Sequence, residues 1–223
     1  MEVLRGGTVD LVSLPPISPP TGPTSETTNV GLLAKAQPGI AAVGVMIALQ
    51  WLSEIVDFFV DHKLDKYGVR PHQLVGLRGI AFAPFLHAGF GHLIGNTIPF
   101  AVLGVLIALG GLRQLLSVTV IVGVISGLGM WVFGSSNQVH IGASGVVFGF
   151  LAFLLARGVF AKNIRQILLG VLVAMVYGGM LWGVLPTSSG VSWQGHLFGA
   201  IGGVVAAKLL VDSAGRRDGV GTT

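Results

Sequence analysis

The sequence predicts an all-α polytopic membrane protein: a compact bundle of six transmembrane helices with a long interfacial loop between the first and second. Three observations carry this expectation. Of 223 residues, 52% are hydrophobic and only 10% are charged, against about 25% charged in an ordinary soluble domain. The mean hydropathy is +0.82. The apolar residues also gather into six runs, separated by short polar or glycine-rich breaks. At 1.5 Å per residue such runs approach the roughly 30 Å thickness of a hydrocarbon core. In that medium a helix satisfies its own backbone polar groups.

Residues 1–35 are polar and rich in proline (Pro15, Pro16, Pro19, Pro20, Pro23) and lack the basic start and apolar core of a signal peptide. They are expected to form a disordered cytoplasmic tail. The membrane domain is expected over 36–212, followed by a short cytoplasmic tail at 213–223. Its first span runs from about Gln37 to Val60 and carries Glu54 and Asp57 near its far end. Carboxylates at that depth are expected to face a partner or the interface. Residues 61–91 hold His62, Lys63, Asp65, Lys66, Arg70 and Arg78 together with the apolar patch Ile80–Leu86. Too long for a turn and too apolar for a free loop, this connection is expected to lie along the membrane interface.

The second span is His92–Leu109, the third Arg113–Phe133 and the fourth Ser144–Phe160. The fifth runs from about Ile164 to Leu185 and the sixth from Trp193 to Val211. Six spans put both termini on one side. Arg5, Lys35, Arg113, Arg157, Lys162, Arg165, Lys208, Arg216 and Arg217 fall on that side, while Lys63, Lys66, Arg70 and Arg78 fall on the other. The positive-inside rule makes the first side cytoplasmic, and the expected location is a plasma (inner) membrane. Trp131, Trp182 and Trp193 then lie at outer span ends, where an aromatic belt is expected.

The 13 Lys and Arg against 9 Asp and Glu therefore read as topology signals, and no nucleic-acid partner is expected. The absence of cysteine removes disulfides and thiol chemistry. The 35 glycines fit close helix packing in lipid.

Against this apolar background a few polar groups stand out. Ser144 lies between Gly142 and Gly145 at the start of the fourth span. A hydroxyl there must bond back to its own helix or serve chemistry. His92 and Asn96, four apart, share one face of the second span. His196 lies three residues into the sixth. All three spans start from the outer side, so these groups converge at one depth. The combination suits acyl transfer, with Ser144 as nucleophile and His196 as general base and later acid. The Ser144 backbone N–H and the His92 and Asn96 side chains would supply the oxyanion donors. No Asp or Glu occurs in a span after the first, so a dyad is expected, with His196 oriented by packing and Phe148 stacked on its ring. Gly145 and Gly149 face the demand for close approach on one helix, and Gly199 and Gly203 on the other. A valine at 199 should separate the pair, and an alanine should do so much less.

The set resembles the rhomboid intramembrane serine proteases of the bacterial six-span kind. The resemblance rests on H-x-x-x-N at His92–Asn96, on Gly142-Ala143-Ser144-Gly145, and on His196 with Gly199 and Gly203, in that order and on the second, fourth and sixth spans. It covers roughly residues 37–211. It implies a Ser144–His196 dyad, an oxyanion site from Ser144, His92 and Asn96, and cleavage of single-pass membrane proteins in or near their transmembrane segment, without cofactor or metal. The same resemblance makes the fifth span, with Gly178-Gly179 and the Pro186–Ser192 loop, the gate for substrate. It also gives His87 a structural role. Phe148 replaces a frequent tyrosine, Gly195 a usual alanine, and Leu77-Arg78 a Trp-Arg pair. The alternative is a non-catalytic rhomboid-like module that binds membrane proteins. A histidine metal site at His87, His92 and His140 lacks H-E-x-x-H and any nearby carboxylate. A transporter would call for more intramembrane charge than Glu54 and Asp57.

Overall fold

The computed structural model describes residues 25–186 and 192–220. Among them are seven α-helices: α1 Ser25–Phe59, α2 Gly79–Phe82, α3 Phe90–Ala108, α4 Leu112–Phe133, α5 Ser144–Phe160, α6 Ile164–Tyr177 and α7 Trp193–Val220. Five helical segments are long and apolar enough to cross a membrane: Leu33–Phe59, Phe90–Ala108, Leu112–Phe133, Ile164–Val184 and Trp193–Ser213. α5, with 17 residues, is a shorter apolar helix. The chain is thus a polytopic membrane helical bundle.

α5 occupies the centre. Every residue from Gly145 to Leu154 is buried, because α3, α4, α6 and α7 all pack against it. Phe150, Leu151, Phe153 and Leu154 meet Phe100, Leu103 and Leu115 of the neighbouring helices in the main core. The outward faces of α1, α3, α4 and α6 instead expose large apolar side chains such as Leu52, Ile98, Val120 and Leu172. This inverted surface is what a lipid solvent requires. The turn between α3 and α4 is only three residues long and closes at Gly111, whose φ of +99° suits glycine alone without strain.

The start of α1 corrects one expectation. Ser25–Lys35 is helical, although it falls inside the segment read as disordered tail. No proline occurs between Pro23 and Pro38, and Val30–Ala36 is rich in leucine and alanine, both strong helix formers. Ala36 is fully buried, and Gly39 sits so close to Ala108 that an added Cβ would lie 2.9 Å from the alanine Cβ. Residues 1–24 lie outside the described residues.

Two further boundaries differ. The fifth apolar run is not one continuous α-helix, because α6 ends at Tyr177 and Gly178–Val184 continues as a 3-10 helix. Two consecutive glycines weaken the α-helical ladder there. α7 continues to Val220, through most of the segment read as a short tail, since no proline interrupts 193–220. Residues 187–191 of the loop before α7, and 221–223, lie outside the described residues.

The connection between α1 and α3 is folded rather than free. Two 3-10 turns, Asp65–Tyr67 and Leu74–Arg78, lead into α2 and a third turn at Ala83–Phe85. Gly76 packs on the Arg70 backbone and Gly79 on that of Gly68 and Val69, so a Cβ at either glycine has no room. The Arg78 guanidinium lies 4.6 Å from the Tyr67 ring centroid, where cation–π attraction holds it. Trp131 Nε1 of α4 donates to the Gln73 carbonyl at 2.9 Å. Val69 forms an antiparallel bridge with His140, tying this connection to the segment that precedes Ser144. Glu54 and Asp57 are each only 1% exposed. They therefore face the protein interior, not lipid or an external partner.

Candidate active site

The chain reaches Ser144 through a bend at Gly142, whose φ is +115°. The Gly142 N–H donates to the Ala83 carbonyl at 2.8 Å, and an added Cβ there would fall 2.6 Å from His92 Cε1 and 2.9 Å from His92 Nε2. Glycine is thus required twice, for the backbone angle and for the space His92 fills. Ser144 then opens α5 as its first residue, where backbone N–H groups have no partner inside the helix.

His196 arrives from α7. Its Nε2 lies 2.9 Å from Ser144 Oγ, and its Nδ1 lies 2.8 Å from the Gly183 carbonyl oxygen. A carbonyl only accepts, so Nδ1 carries the proton and Nε2 is left to accept from the serine hydroxyl. The imidazole stacks on Phe148, with centroids 4.0 Å apart and planes 4° from parallel. Packing alone was expected to orient this ring; the Gly183 carbonyl does so as well. A backbone acceptor leaves no residue-type signal, which is why the sequence did not disclose it.

α5 and α7 meet through glycine. A Cβ at Gly199 would strike the carbonyl of Gly145, and one at Gly203 would strike that of Gly149. From the other side, a Cβ at Gly149 would lie 2.9 Å from the Gly199 carbonyl oxygen. Because the opposing atoms are backbone, they cannot rotate aside. Alanine at 199, expected to separate the pair much less than valine, also meets this backbone: even one methyl group has no space. Ser126 of α4 donates its hydroxyl to the Gly195 carbonyl at 2.8 Å, fixing the turn that carries His196. The available signal for it was a serine set between apolar residues and glycines in the outer half of the third span.

His92 Nδ1 accepts from the Ala88 N–H at 3.4 Å, which leaves the proton on Nε2, the atom beside Gly142. Asn96 is 6% exposed and donates Nδ2 to the His92 carbonyl at 2.9 Å, keeping a second N–H. The structure therefore puts Ser144 and His196 in contact and His92 next to Gly142, and it turns Asn96 back onto its own helix. His87 is 1% exposed. Its Nε2 accepts from the Ala143 N–H at 3.4 Å, and its ring meets His92 edge to face, centroids 5.2 Å apart. Burial, and then the neighbouring His92, push His87 down to about 4, so it stays neutral and serves as an acceptor. Burial lowers His140 in the same way.

Beside Ser144 lies a cavity of about 20 Å³, lined by Ser126, Ser192, Gly142, Gly145, Gly195 and Met130 among others. That is room for one water among polar partners. A hydroxyl bonded to an oriented neutral imidazole, with N–H donors nearby and space for a water, is an arrangement suited to acyl transfer and hydrolysis.

Residues 75–213 match the sequence model of the Rhomboid domain. An uncharacterized protein of Mycobacterium tuberculosis is 43% identical over 214 residues, covering 92% of this chain and 87% of its own. An uncharacterized protein of Mycobacterium leprae is 43% identical over 213 residues, covering 92% and 83%. A Bacillus subtilis protein named "Putative rhomboid protease YdcA" is 31% identical over 134 residues, covering 59% of this chain and 66% of its own.

Proposed function

The chain belongs to the rhomboid family, and on that premise we propose that it is an intramembrane serine endopeptidase that uses a Ser144–His196 dyad. The observation that carries this reading is the 2.9 Å contact between Ser144 Oγ and His196 Nε2. The mechanism follows from proton placement. As Ser144 Oγ attacks a peptide carbonyl, its proton passes to His196 Nε2, and the Gly183 carbonyl stabilises the imidazolium through Nδ1–H. Negative charge then develops on the carbonyl oxygen. The Ser144 N–H, His92 Nε2–H and the free Asn96 Nδ2–H are the donors that receive it. Collapse of the intermediate expels the amine, which takes the proton from His196. A water from the adjoining cavity, deprotonated by the same Nε2, then attacks the acyl-serine and releases the acid.

The substrates on this reading are single-pass transmembrane proteins, cut in or near their membrane segment. α5 serves as a sixth span, both termini are cytoplasmic, and the site opens toward the outer half of a plasma (inner) membrane. No cofactor is needed and no nucleic acid is bound. The test is labelling of the purified chain with a serine-reactive fluorophosphonate, run beside cleavage of a reporter transmembrane substrate. Ser144→Ala and His196→Ala should each abolish cleavage, and Ser144→Ala should abolish labelling. Because the two side chains act as a unit, the double variant should be no worse than either single one. Substantial cleavage by the folded Ser144→Ala protein refutes the assignment. A fully folded wild type that binds reporter segments but neither labels nor cleaves them favours the non-catalytic alternative.

A further inference from the structure

Away from Ser144, the densest group of titratable side chains lies where α1 meets the first connection. Asp57, His62 and Asp65 each bring a possible ligand atom within 4.8 Å of the others. Neighbouring donors to one first-row ion at 2.0–2.2 Å lie roughly 3–3.5 Å apart, a spacing that Asp57 Oδ2 and His62 Nδ1 already meet at 3.4 Å, so the remaining adjustment is for Asp65 to close by up to about 1.5 Å. Asp57 is 1% exposed. Its Oδ1 accepts from the Leu64 N–H at 2.6 Å, while Oδ2 lies 3.4 Å from His62 Nδ1 and has no hydrogen bond. Asp65 Oδ1 is also buried without a partner.

Glu54 stands three residues before Asp57, on the same face of α1. It too is 1% exposed, and neither of its carboxylate oxygens has a partner. The ion pairs among the described residues bring no lysine or arginine to these three carboxylates; Lys63 pairs with Asp61 instead. Glu54 is thus a buried carboxylate with no partner, beside an Asp57 held only by the Leu64 N–H and the approach of His62, and such buried negative charge calls for a compensating cation. Asp61 and His62 adopt positive φ of 56° and 57°, a conformation uncommon outside glycine, and this turn carries the imidazole back over Asp57.

We propose that Asp57, His62 and Asp65 bind one divalent first-row cation, Zn²⁺ or Mn²⁺, with Glu54 adding negative charge from behind. Carboxylate oxygens mixed with an imidazole nitrogen suit these ions, whereas Ca²⁺ and Mg²⁺ favour oxygen alone. The ion braces the end of α1 against the turn at Asp65–Tyr67, four residues before the Val69 bridge to His140. It takes no part in peptide hydrolysis, so its test needs no activity readout.

The full chain, purified in detergent and stripped with chelator, is dialysed separately against Zn²⁺, Mn²⁺, Ca²⁺ and Mg²⁺. Bound metal is counted by elemental analysis and the melting temperature is recorded. The expected result is one equivalent of Zn²⁺ or Mn²⁺ per chain and a raised melting temperature. His62→Ala and Asp65→Asn should each weaken binding at least about tenfold, as loss of a ligand costs no less than loss of an outer-shell partner. His62, whose side chain is 50% exposed, is the position least able to disturb the fold, and metal-free melting temperatures check this. Failure of the wild type to bind an equivalent of Zn²⁺ or Mn²⁺ overturns the proposal. So does undiminished binding by the folded His62→Ala, Asp65→Asn double variant.

Discussion

The Gly183 carbonyl holds His196 Nδ1 at 2.8 Å, so the 3-10 segment after α6 orients the imidazole of α7. An added Cβ at Gly183 would lie 2.8 Å from Phe148 Cζ and 3.1 Å from His196 Nδ1. Gly183→Ala should therefore disturb both the stack and the hydrogen bond. A misplacement of about 1 Å can cost about 10²-fold, and the loss should fall on kcat more than on KM. Steady-state cleavage kinetics with parallel fluorophosphonate labelling rates check this. Wild-type values for both would show that the carbonyl does not orient the base.

The contact of Gly199 with the Gly145 carbonyl leads to a graded expectation. Gly199→Val should still insert in the membrane but lose nearly all cleavage. Gly199→Ala should also be impaired, by about tenfold or more, because backbone has to move to admit the methyl group. A protease-protection topology assay beside the cleavage rate separates misinsertion from misalignment. An alanine variant at full rate would mean that the two helices part more easily than this contact allows.

Asn96 has one N–H committed to the His92 carbonyl and one to spare. Asn96→Ala should lower turnover by about 10²-fold or less, since one oxyanion donor typically contributes 10²–10³ and others remain. Fluorophosphonate labelling of Ser144 should persist at a reduced rate. An unchanged turnover would remove Asn96 from the oxyanion site.

His87 gives a pH dependence of stability with a definite sign. Its folded value, about 4, lies below the ordinary 6.5, so between these values the unfolded chain binds the extra proton. Stability from this group is complete above pH 6.5 and is lost as pH falls toward 4. A displacement of that size corresponds to about 3 kcal/mol at most. Melting temperature measured from pH 7.5 to 4 should fall, and His87→Gln, neutral throughout, should flatten the part of the slope due to this residue. An identical slope in the variant would locate the pH dependence elsewhere.

The ends of α3, α4 and α5 were legible because glycine or polar punctuation falls where the apolar runs stop. The ends of α1 and α7 were not. Ser25–Asn29 and most of Asp212–Val220 are polar, and a search for apolar length passes over a helix that continues outside the apolar run. Ser144, His92, Asn96 and His196 were visible as polar side chains in apolar spans, where each calls for a reason. The Gly183 acceptor was invisible because every residue has a carbonyl. The Asp57–His62–Asp65 group was hidden differently: its members looked like ordinary charges at a membrane edge until the turn at Asp61-His62 folded them together.

The bridge between Val69 and His140 joins positions about 70 residues apart, with α3 and α4 inside the enclosed loop. Closing a flexible loop of that length costs about 4 kcal/mol in chain entropy, while its two hydrogen bonds, each 2.9 Å long, return about 1 kcal/mol apiece. The bridge cannot form on its own account. Its ends are held together by the α3–α4 hairpin, so the bend that presents Ser144 rests on two helices that contribute no atom to the bridge.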